Sequence, residues 1–105
     1  MMDKPAAGLS FDEVIHGQVR LRICSILRQF GLTEFGFLRE SLNVTDSTLS
    51  KHLKSLNQAG YVALTKRTVD TRSKTWAALT DEGESAFDLH INYLQEIINT
   101  SRKQP

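Results

Sequence analysis

Residues 45–60 read TDSTLSKHLKSLNQAG, and the predicted architecture is built around this segment. At 100° per residue its three leucines fall on one side of a helix, whereas hydroxyl, amide and lysine side chains fall on the other side. Thr45 is a good N-cap, Asp46 complements the helix dipole, and Gly60 can take the left-handed conformation that ends a helix. We therefore predict a two-faced helix over about residues 46–59.

The polar side of this helix offers hydrogen-bond donors and has no carboxylate beyond the first turn. Such a face can approach phosphates and base edges without repelling them. The candidate DNA contacts on the helix are Ser47, Thr48, Ser50, Lys51 and Lys54. A polar face opposite a leucine stripe is also what any solvated helix shows, so only the surrounding sequence favours DNA binding.

Two further helices are predicted before this one. Apolar residues repeat at helical spacing over residues 18–30, and a capping box of Ser10 with Glu13 predicts a helix from about Phe11 that Gly17 can interrupt.

A shorter helix follows, with Thr33 as its N-cap and Leu42 near its end. Residues 43–45 then form a three-residue connection in which Asn43 can accept a positive φ. Two short helices, a tight turn and a donor-bearing second helix make a helix-turn-helix.

The pattern changes to that of strands after Gly60. Residues 61–68 and 74–79 are rich in β-branched and aromatic residues and predict an antiparallel pair. The predicted inward positions are Val62, Leu64, Ala77 and Leu79. The connection over residues 69–73 contains no glycine, so we expect a solvated projecting loop rather than a tight turn. Four basic residues of this hairpin are further candidate DNA contacts: Lys66, Arg67, Arg72 and Lys74.

Positive charge is concentrated in the middle third of the 105-residue chain, although the net charge is only +1. Residues 45–80 carry six basic and two acidic residues, whereas residues 81–105 carry two basic and five acidic residues. This distribution is expected of a local surface that binds a polyanion. For Lys66 alone, we favour the interpretation that the lysine only discourages edge-to-edge aggregation of the strand. For Arg72 at the loop tip, a DNA contact is at least as well supported as a purely structural role.

Thr80 is predicted to cap a final helix over about residues 80–100, with an acidic first turn. Its two adjacent rows of apolar side chains make a face wider than one neighbouring helix needs. We predict that this face pairs with the same helix of a second subunit, or with the N-terminal helix exchanged across a two-fold axis. The candidate dimerisation residues are Phe87, His90, Ile91, Tyr93, Leu94, Ile97 and Ile98.

The length predicts a single domain over residues 10–100, preceded by a disordered N-terminus at residues 1–9. Cys24 is the only cysteine and lies beside an apolar stripe, so we expect a buried, inert thiol and no intrachain disulfide. No apolar run approaches the length of a membrane span, and a cytoplasmic protein is expected.

No enzyme, cofactor or metal site is predicted. The chain shows no phosphate-cradling glycine loop, no zinc-type cysteine and histidine spacing, and no nucleophile elbow. Its three histidines, His16, His52 and His90, fall on three different predicted helices without thiol or carboxylate companions, so ordinary hydrogen bonds or solvation are favoured over metal ligation.

The order helix, helix, helix, hairpin, helix resembles the winged-helix DNA-binding regulators, and specifically the short members of the MarR-like group. The resemblance covers residues 11–98. Residues 48–56, TLSKHLKSL, followed by residues 59–62, AGYV, look like the family's recognition helix running into the first wing strand. Asp70-Thr71-Arg72 resembles the Asp-x-Arg wing motif of the family, and residues 79–83, LTDEG, resemble its Leu-Thr-x-x-Gly entry to the final helix.

This resemblance implies a mostly α fold with a small β-hairpin (α+β), in which a three-helix core carries a wing and a long C-terminal dimerisation helix. It implies a dimeric transcription factor, most simply a repressor, that binds double-stranded DNA. The recognition helix would enter the major groove, and the wing, over residues 66–75, would meet the flanking minor groove through Arg72 while Asp70 orients it. Two recognition helices related by a two-fold axis would stand about 34 Å apart, which requires a pseudo-palindromic operator.

The alternative is a winged-helix adaptor subunit that binds protein and not DNA. The basic middle segment and the lack of a bulky apolar patch on the recognition face argue against it. A small-molecule effector is left open without support, because the chain is short for the extra helical sequence that builds an effector pocket in MarR-type proteins. The cysteine pair of ArsR-type metal sensors is missing between Glu34 and Leu42, which excludes metal sensing through that site.

Overall fold

The computed structural model describes residues 11–103, which form four helices and three strands. In chain order these are α1 (Gln18–Phe30), β1 (Thr33–Glu34), α2 (Phe35–Leu42), α3 (Asp46–Gln58), β2 (Val62–Val69), β3 (Arg72–Leu79) and α4 (Asp81–Lys103). The strands form one antiparallel sheet in the order β1-β3-β2. The predicted mostly helical α+β arrangement with a hairpin is confirmed, and α4 continues beyond its predicted end at residue 100.

The core lies where the apolar sides of α1, α2 and α3 meet below the base of the hairpin. Burial of each large aliphatic side chain contributes about 1.5–3 kcal/mol, which fixes the helices against one another. The buried apolar residues are Ile15, Ile23, Cys24, Leu27, Leu38, Leu42, Leu49, Leu53, Leu56, Val62, Ala77 and Phe87. Cys24 lies within this core, so its predicted burial is confirmed. Burial and then the negative charge of Asp12 raise the pKa of its thiol to about 12, which favours the unreactive protonated form.

The predicted helix from Phe11 is wrong, because residues 11–17 form a turn and α1 begins at Gln18. The Asp12 carboxylate accepts hydrogen bonds from the backbone N–H groups of Val14 (2.9 Å) and Ile15 (3.1 Å), which competes with helical bonding. Gly17 then takes a φ of 125°, outside the helical range. The disordered N-terminus predicted at residues 1–9, and Ser10 of the capping box, lie outside the described residues.

Thr33 is not an N-cap, contrary to prediction. It pairs with Ala77 as part of β1, and its hydroxyl donates to the Gly31 carbonyl (2.8 Å), so α2 begins only at Phe35. The partner of this strand is more than forty residues away in the sequence, which explains why local pattern assigned Thr33 to the helix.

The hairpin ends in a tight turn and not in the predicted loop. Val69 pairs directly with Arg72, so only Asp70 and Thr71 connect the strands, both with positive φ (50° and 66°). A two-residue turn with positive φ at both positions matches the right-handed twist of the strands. Aspartate tolerates a positive φ, whereas the β-branched Thr71 adopts it against its usual preference. Leu64 is also exposed, contrary to prediction, because the hairpin projects past the core after Val62.

The start of α4 is fixed against the junction between α3 and β2. The Thr80 hydroxyl donates to the Gly60 carbonyl (2.6 Å) and accepts from the Gly83 N–H (2.9 Å), which confirms Thr80 as the cap. The Thr80 N–H also donates to the Tyr61 carbonyl (3.0 Å). Gly83 packs directly on Tyr61, since a Cβ at this position would lie 2.1 Å from the Tyr61 carbonyl oxygen.

None of the helices between residues 11 and 103 combines the length and the hydropathy that a membrane span requires.

Candidate nucleic-acid interface

Helix α3 presents the predicted polar face to solvent. The Thr45 hydroxyl accepts from the Thr48 N–H (3.2 Å), so Thr45 is the N-cap, and the three leucines of α3 are buried. Four of the candidate contacts are exposed: Ser47, Ser50, Lys51 and Lys54. Thr48 is half-buried on the flank, where its hydroxyl accepts from that of Thr45 (3.0 Å). The exposed candidate contacts on α3 are therefore two serine hydroxyls and two ammonium groups.

The one carboxylate of this helix is compensated by a neighbouring helix. Asp46 Oδ1 lies 2.9 Å from Arg39 Nη1 of α2. This ion pair offsets negative charge at the N-terminal end of α3, which would otherwise repel phosphate. No short-range pattern marks Arg39, because its partner lies seven residues away across the turn.

The cations of the hairpin do not share one face, although the sequence groups them. Cross-strand partners lie on the same side of a sheet and alternate residues on opposite sides. Lys66, which pairs with Thr75, therefore lies on the side that continues from Val62 and Ala77 toward α3. Arg67, Arg72 and Lys74 lie on the other side, together with Trp76.

Two of the cations on that other side already have partners. Lys74 Nζ lies 3.3 Å from Glu34 Oε2, and the Arg67 guanidinium lies over the Trp76 ring at 5.9 Å from its centroid. Lys66 and Arg72 are exposed and make no ion pair with the part of the chain that the structure describes. Arg72 directly follows the two-residue turn, so it lies at the end of the wing.

A cleft of about 330 Å³ joins α3 to the hairpin. Ser50 and Lys54 line it from α3, and Lys66 lines it from β2. Its apolar lining includes the exposed Leu64. Lys54 of the helix and Lys66 of the hairpin therefore border one concave surface.

The three histidines make hydrogen bonds within the chain. His52 Nδ1 accepts from Arg20 Nε (3.1 Å), and burial, then the positive charges of Arg20 and Lys51, lower the pKa of His52. His90 is fully buried, with its Nδ1 accepting from the Asp12 N–H (3.0 Å) and its Nε2 at 3.1 Å from His16 Nδ1. No group of histidine, cysteine, aspartate and glutamate side chains within residues 11–103 has the arrangement of a metal site.

The candidate dimerisation residues divide into two groups. Phe87 and His90 are buried within the protomer itself, so the structure removes them from an exposed face. Ile91, Tyr93 and Leu94 are half-buried, whereas Ile97 and Ile98 are 48% and 51% exposed. The apolar surface that the protomer leaves open therefore lies on the C-terminal half of α4.

Residues 19–98 match the sequence profile of the family described as winged helix DNA-binding domain. The chain belongs to this family. The winged-helix domain is also 36% identical over 90 residues to an uncharacterized protein of Methanocaldococcus jannaschii, a match that covers 86% of this chain and 95% of that protein.

Solved structures have the same fold. A transcriptional regulator homologue from Pyrococcus horikoshii is similar to the winged-helix domain with a TM-score of 0.80 and 25% identity, over 85% of this chain and 88% of that chain. A protein described as a transcriptional regulator of the MarR family from Enterococcus faecalis gives a TM-score of 0.74 and 22% identity, over 86% and 81% of the two chains. The predicted resemblance to winged-helix DNA-binding proteins is confirmed, and the chain shares the fold of a MarR-family structure.

Proposed function

We propose that this winged-helix domain is a sequence-specific regulator of transcription that binds double-stranded DNA as a dimeric repressor. The observation that carries the proposal is the shared cleft, in which Lys54 of α3 and Lys66 of the hairpin border one surface. A helix and a wing on the same side can engage adjacent grooves of one duplex at the same time.

Helix α3 would lie in the major groove, where its N-terminal residues are placed to reach base edges. Ser47 and Ser50 can donate to or accept from bases, and Lys51 can donate to guanine O6 and N7. Lys51 lies one turn after Ser47 on the exposed face, and Lys54 lies closer to the cleft. We assign Lys54 and Lys66 to backbone phosphates, since both line the cleft and neither lies in the first turn of α3.

The wing would meet the flanking minor groove through Arg72. Its position beside the two-residue turn and the absence of a carboxylate partner among the described residues support this role. Arg67 and Lys74 contribute less to DNA binding in this proposal, because the Arg67 guanidinium lies over the Trp76 ring and Lys74 pairs with the Glu34 carboxylate. Arg72→Ala is expected to weaken binding with less effect on sequence preference than changes in α3.

The C-terminal half of α4 would form the dimer. Ile97 and Ile98 lie on this segment and stay 48% and 51% exposed, so residues 11–103 of the same chain leave much of its apolar surface uncovered. A second copy in two-fold symmetry would cover it and repeat α3 about 34 Å away. The operator would then be pseudo-palindromic. We place the protein in the cytoplasm, together with the DNA that it binds.

The test is a salt titration on a duplex selected by the protein from a random pool. Log affinity is expected to fall linearly with log salt, with a slope of about −0.9 per phosphate contacted. Lys51→Ala and Lys54→Ala should each weaken binding, whereas Arg28→Ala should not, because Arg28 pairs with Asp88 of α4 away from the cleft. Binding that ignores salt and both lysine changes would favour the adaptor function, and a footprint of a single half-site would contradict the dimer.

A further inference from the structure

A second basic depression lies on the flank of α3 that is opposite the wing. It has a volume of about 420 Å³ and is formed where the start of α1 meets α3. We name it the Arg20–His52 depression, after the basic residue that each of these helices contributes. No acidic residue is among those that line it, which are His16, Gly17, Gln18, Val19, Arg20 and His52.

Helical phasing shows that the depression and the cleft lie on either side of α3. With the buried leucines pointing inward, Ser50 and Asn57 fall on one flank, and both line the cleft beside the hairpin. His52 falls on the other flank and lines the depression. The exposed Lys51 lies between the two flanks on the outward face.

The Arg20 guanidinium has N–H donors without an acceptor among the described residues. Its Nε–H donates to His52 Nδ1 (3.1 Å) and its Nη1 donates to the Val14 carbonyl (3.2 Å). A guanidinium carries five N–H donors, so three stay unassigned. No carboxylate lies within ion-pair distance of Arg20 in the described part of the chain, so its positive charge is not compensated.

Arg20 also fixes the proton on His52. Because Nδ1 of His52 accepts a hydrogen bond, the neutral ring must carry its proton on Nε2, where it is a donor. The positive charges near the ring lower the pKa of His52, after the larger effect of burial, and this is consistent with a local site of positive potential. The depression therefore offers a guanidinium and an imidazole N–H to an anion.

We propose that the Arg20–His52 depression holds a phosphate of the DNA backbone on the side of the major groove away from the wing. This inference rests on the proposed placement of α3 in the major groove. The groove is about 12 Å wide and is bordered by one backbone on each side, so a helix that lies in it meets phosphates on both flanks. Lys54 and Lys66 serve the flank beside the wing, and Arg20 with His52 serves the other.

The first test compares two arginines of α1 by fluorescence anisotropy on the selected duplex. Arg20→Met removes the charge and keeps most of the aliphatic stem, and we expect roughly five- to twenty-fold weaker binding and a salt slope smaller in magnitude by about 0.9. Arg28→Met is the matched control on the same helix, with affinity and slope expected to stay as in the wild type. Unchanged binding by Arg20→Met, in a protein that still loses affinity with Lys51→Ala, would overturn the inference and leave the proposed function intact.

The second test examines the donor role of His52. His52→Gln keeps an acceptor for Arg20 and an N–H donor for the phosphate, so we expect affinity close to that of the wild type. His52→Leu has a side chain of comparable size but neither the acceptor nor the N–H donor, so it should weaken binding. Thermal unfolding of both variants checks that they are folded to the same extent. Equal affinity of the leucine and glutamine variants would refute a contact through the imidazole.

A third measurement changes the DNA and compares the wild-type protein with Arg20→Met. Single phosphates of the selected duplex are replaced by neutral methylphosphonates. One position on the side away from the wing should lower wild-type affinity and leave Arg20→Met unaffected. An equal loss for both proteins at every position would overturn the inference, whereas a wild-type protein that binds no duplex would overturn the proposed function itself.

Discussion

Gly83 is the position where one added methyl group should cost the most. Gly83 lies in the first turn of α4, and a Cβ there would stand 2.1 Å from the oxygen, 2.9 Å from the carbon and 3.0 Å from the Cα of Tyr61. All three are backbone atoms, so no side chain can rotate away to relieve the contact. Gly83→Ala must therefore displace the start of α4 from the junction of α3 and β2.

The size of the effect follows from two opposing terms. Overpacking of a well-packed site costs about 1–3 kcal/mol, and a contact this short with backbone places Gly83→Ala near 3 kcal/mol. Alanine is about 1 kcal/mol better than glycine within a helix, which offsets part of the cost. The net loss of about 2 kcal/mol should lower the melting temperature by roughly 8–16 °C in a domain of this size.

The assay is thermal unfolding followed by far-UV circular dichroism at matched protein concentration, since a dimer makes the melting temperature depend on concentration. Gly36→Ala is the control, because Gly36 lies in α2 and a Cβ there meets no atom within 4 Å. It should melt at or above the temperature of the wild type, through a gain in helix propensity of about 0.5–1 kcal/mol. A Gly83→Ala protein that melts as high as Gly36→Ala would refute the close packing of α4 on Tyr61.

Two further predictions concern groups whose ionisation the fold suppresses. The Cys24 thiol is fully buried with a pKa of about 12, so a thiol reagent at neutral pH should label it no faster than the protein opens, and rapid labelling of the native protein would contradict its burial. The hydrogen bond that Tyr61 donates to Asp12 (2.7 Å), with burial second, raises the pKa of Tyr61 from its usual 10.0 to about 12. The neutral phenol is therefore favoured in the folded state, and the stability that it adds is present below pH 10 and is lost between pH 10 and about 12. In urea unfolding, the difference between wild type and Tyr61→Phe should be constant up to pH 10 and shrink above it, and a difference that grows over that interval would show the sign to be wrong.

The sequence predicts α3 well because the signals that define this helix lie within or next to it. The N-cap at Thr45, the leucine stripe and the positive φ of Gly60 all act within one or two turns of the helix that they define. The connection before α3 is equally local, and Asn43 takes the predicted left-handed conformation. The face of α3 that carries the candidate DNA contacts is therefore readable from the sequence.

Two of the failures depend on cross-strand partners, whereas the helix predicted from Phe11 fails because of a local contact, in which the Asp12 carboxylate accepts from the Val14 and Ile15 N–H groups. Thr33 is drawn into a strand by Ala77, and the turn at Asp70 and Thr71 closes tightly without glycine because eight cross-strand pairs fix the register of the hairpin. The two sides of that hairpin separate Lys66 from Arg67, a division that depends on register and not on composition. Composition alone therefore overestimates how many cations can meet one phosphate backbone.

His90 lies on the helix that the sequence predicts, but it is buried and does not lie on the predicted dimer face. Its position in the second apolar row of α4 predicts a dimer face, yet the turn at residues 11–17 covers it inside the protomer. This cover exists because Asp12 both shapes the turn and binds Tyr61, and no periodic pattern reports such a contact.

These contacts connect the two proposed functional helices. The last turn of α3 leads into Gly60 and Tyr61, whose carbonyls accept hydrogen bonds from Thr80 at the start of α4, while the Tyr61 hydroxyl binds Asp12. The path from the recognition helix to the proposed dimer helix is thus only a few hydrogen bonds long and passes through a backbone contact that tolerates no side chain at Gly83. In a two-fold dimer built on α4, this junction would set the angle at which α3 leaves the dimer axis, and hence the distance between the two half-sites. Changes at the junction should therefore alter the preferred half-site spacing, whereas changes on the exposed face of α3 should alter the preferred bases.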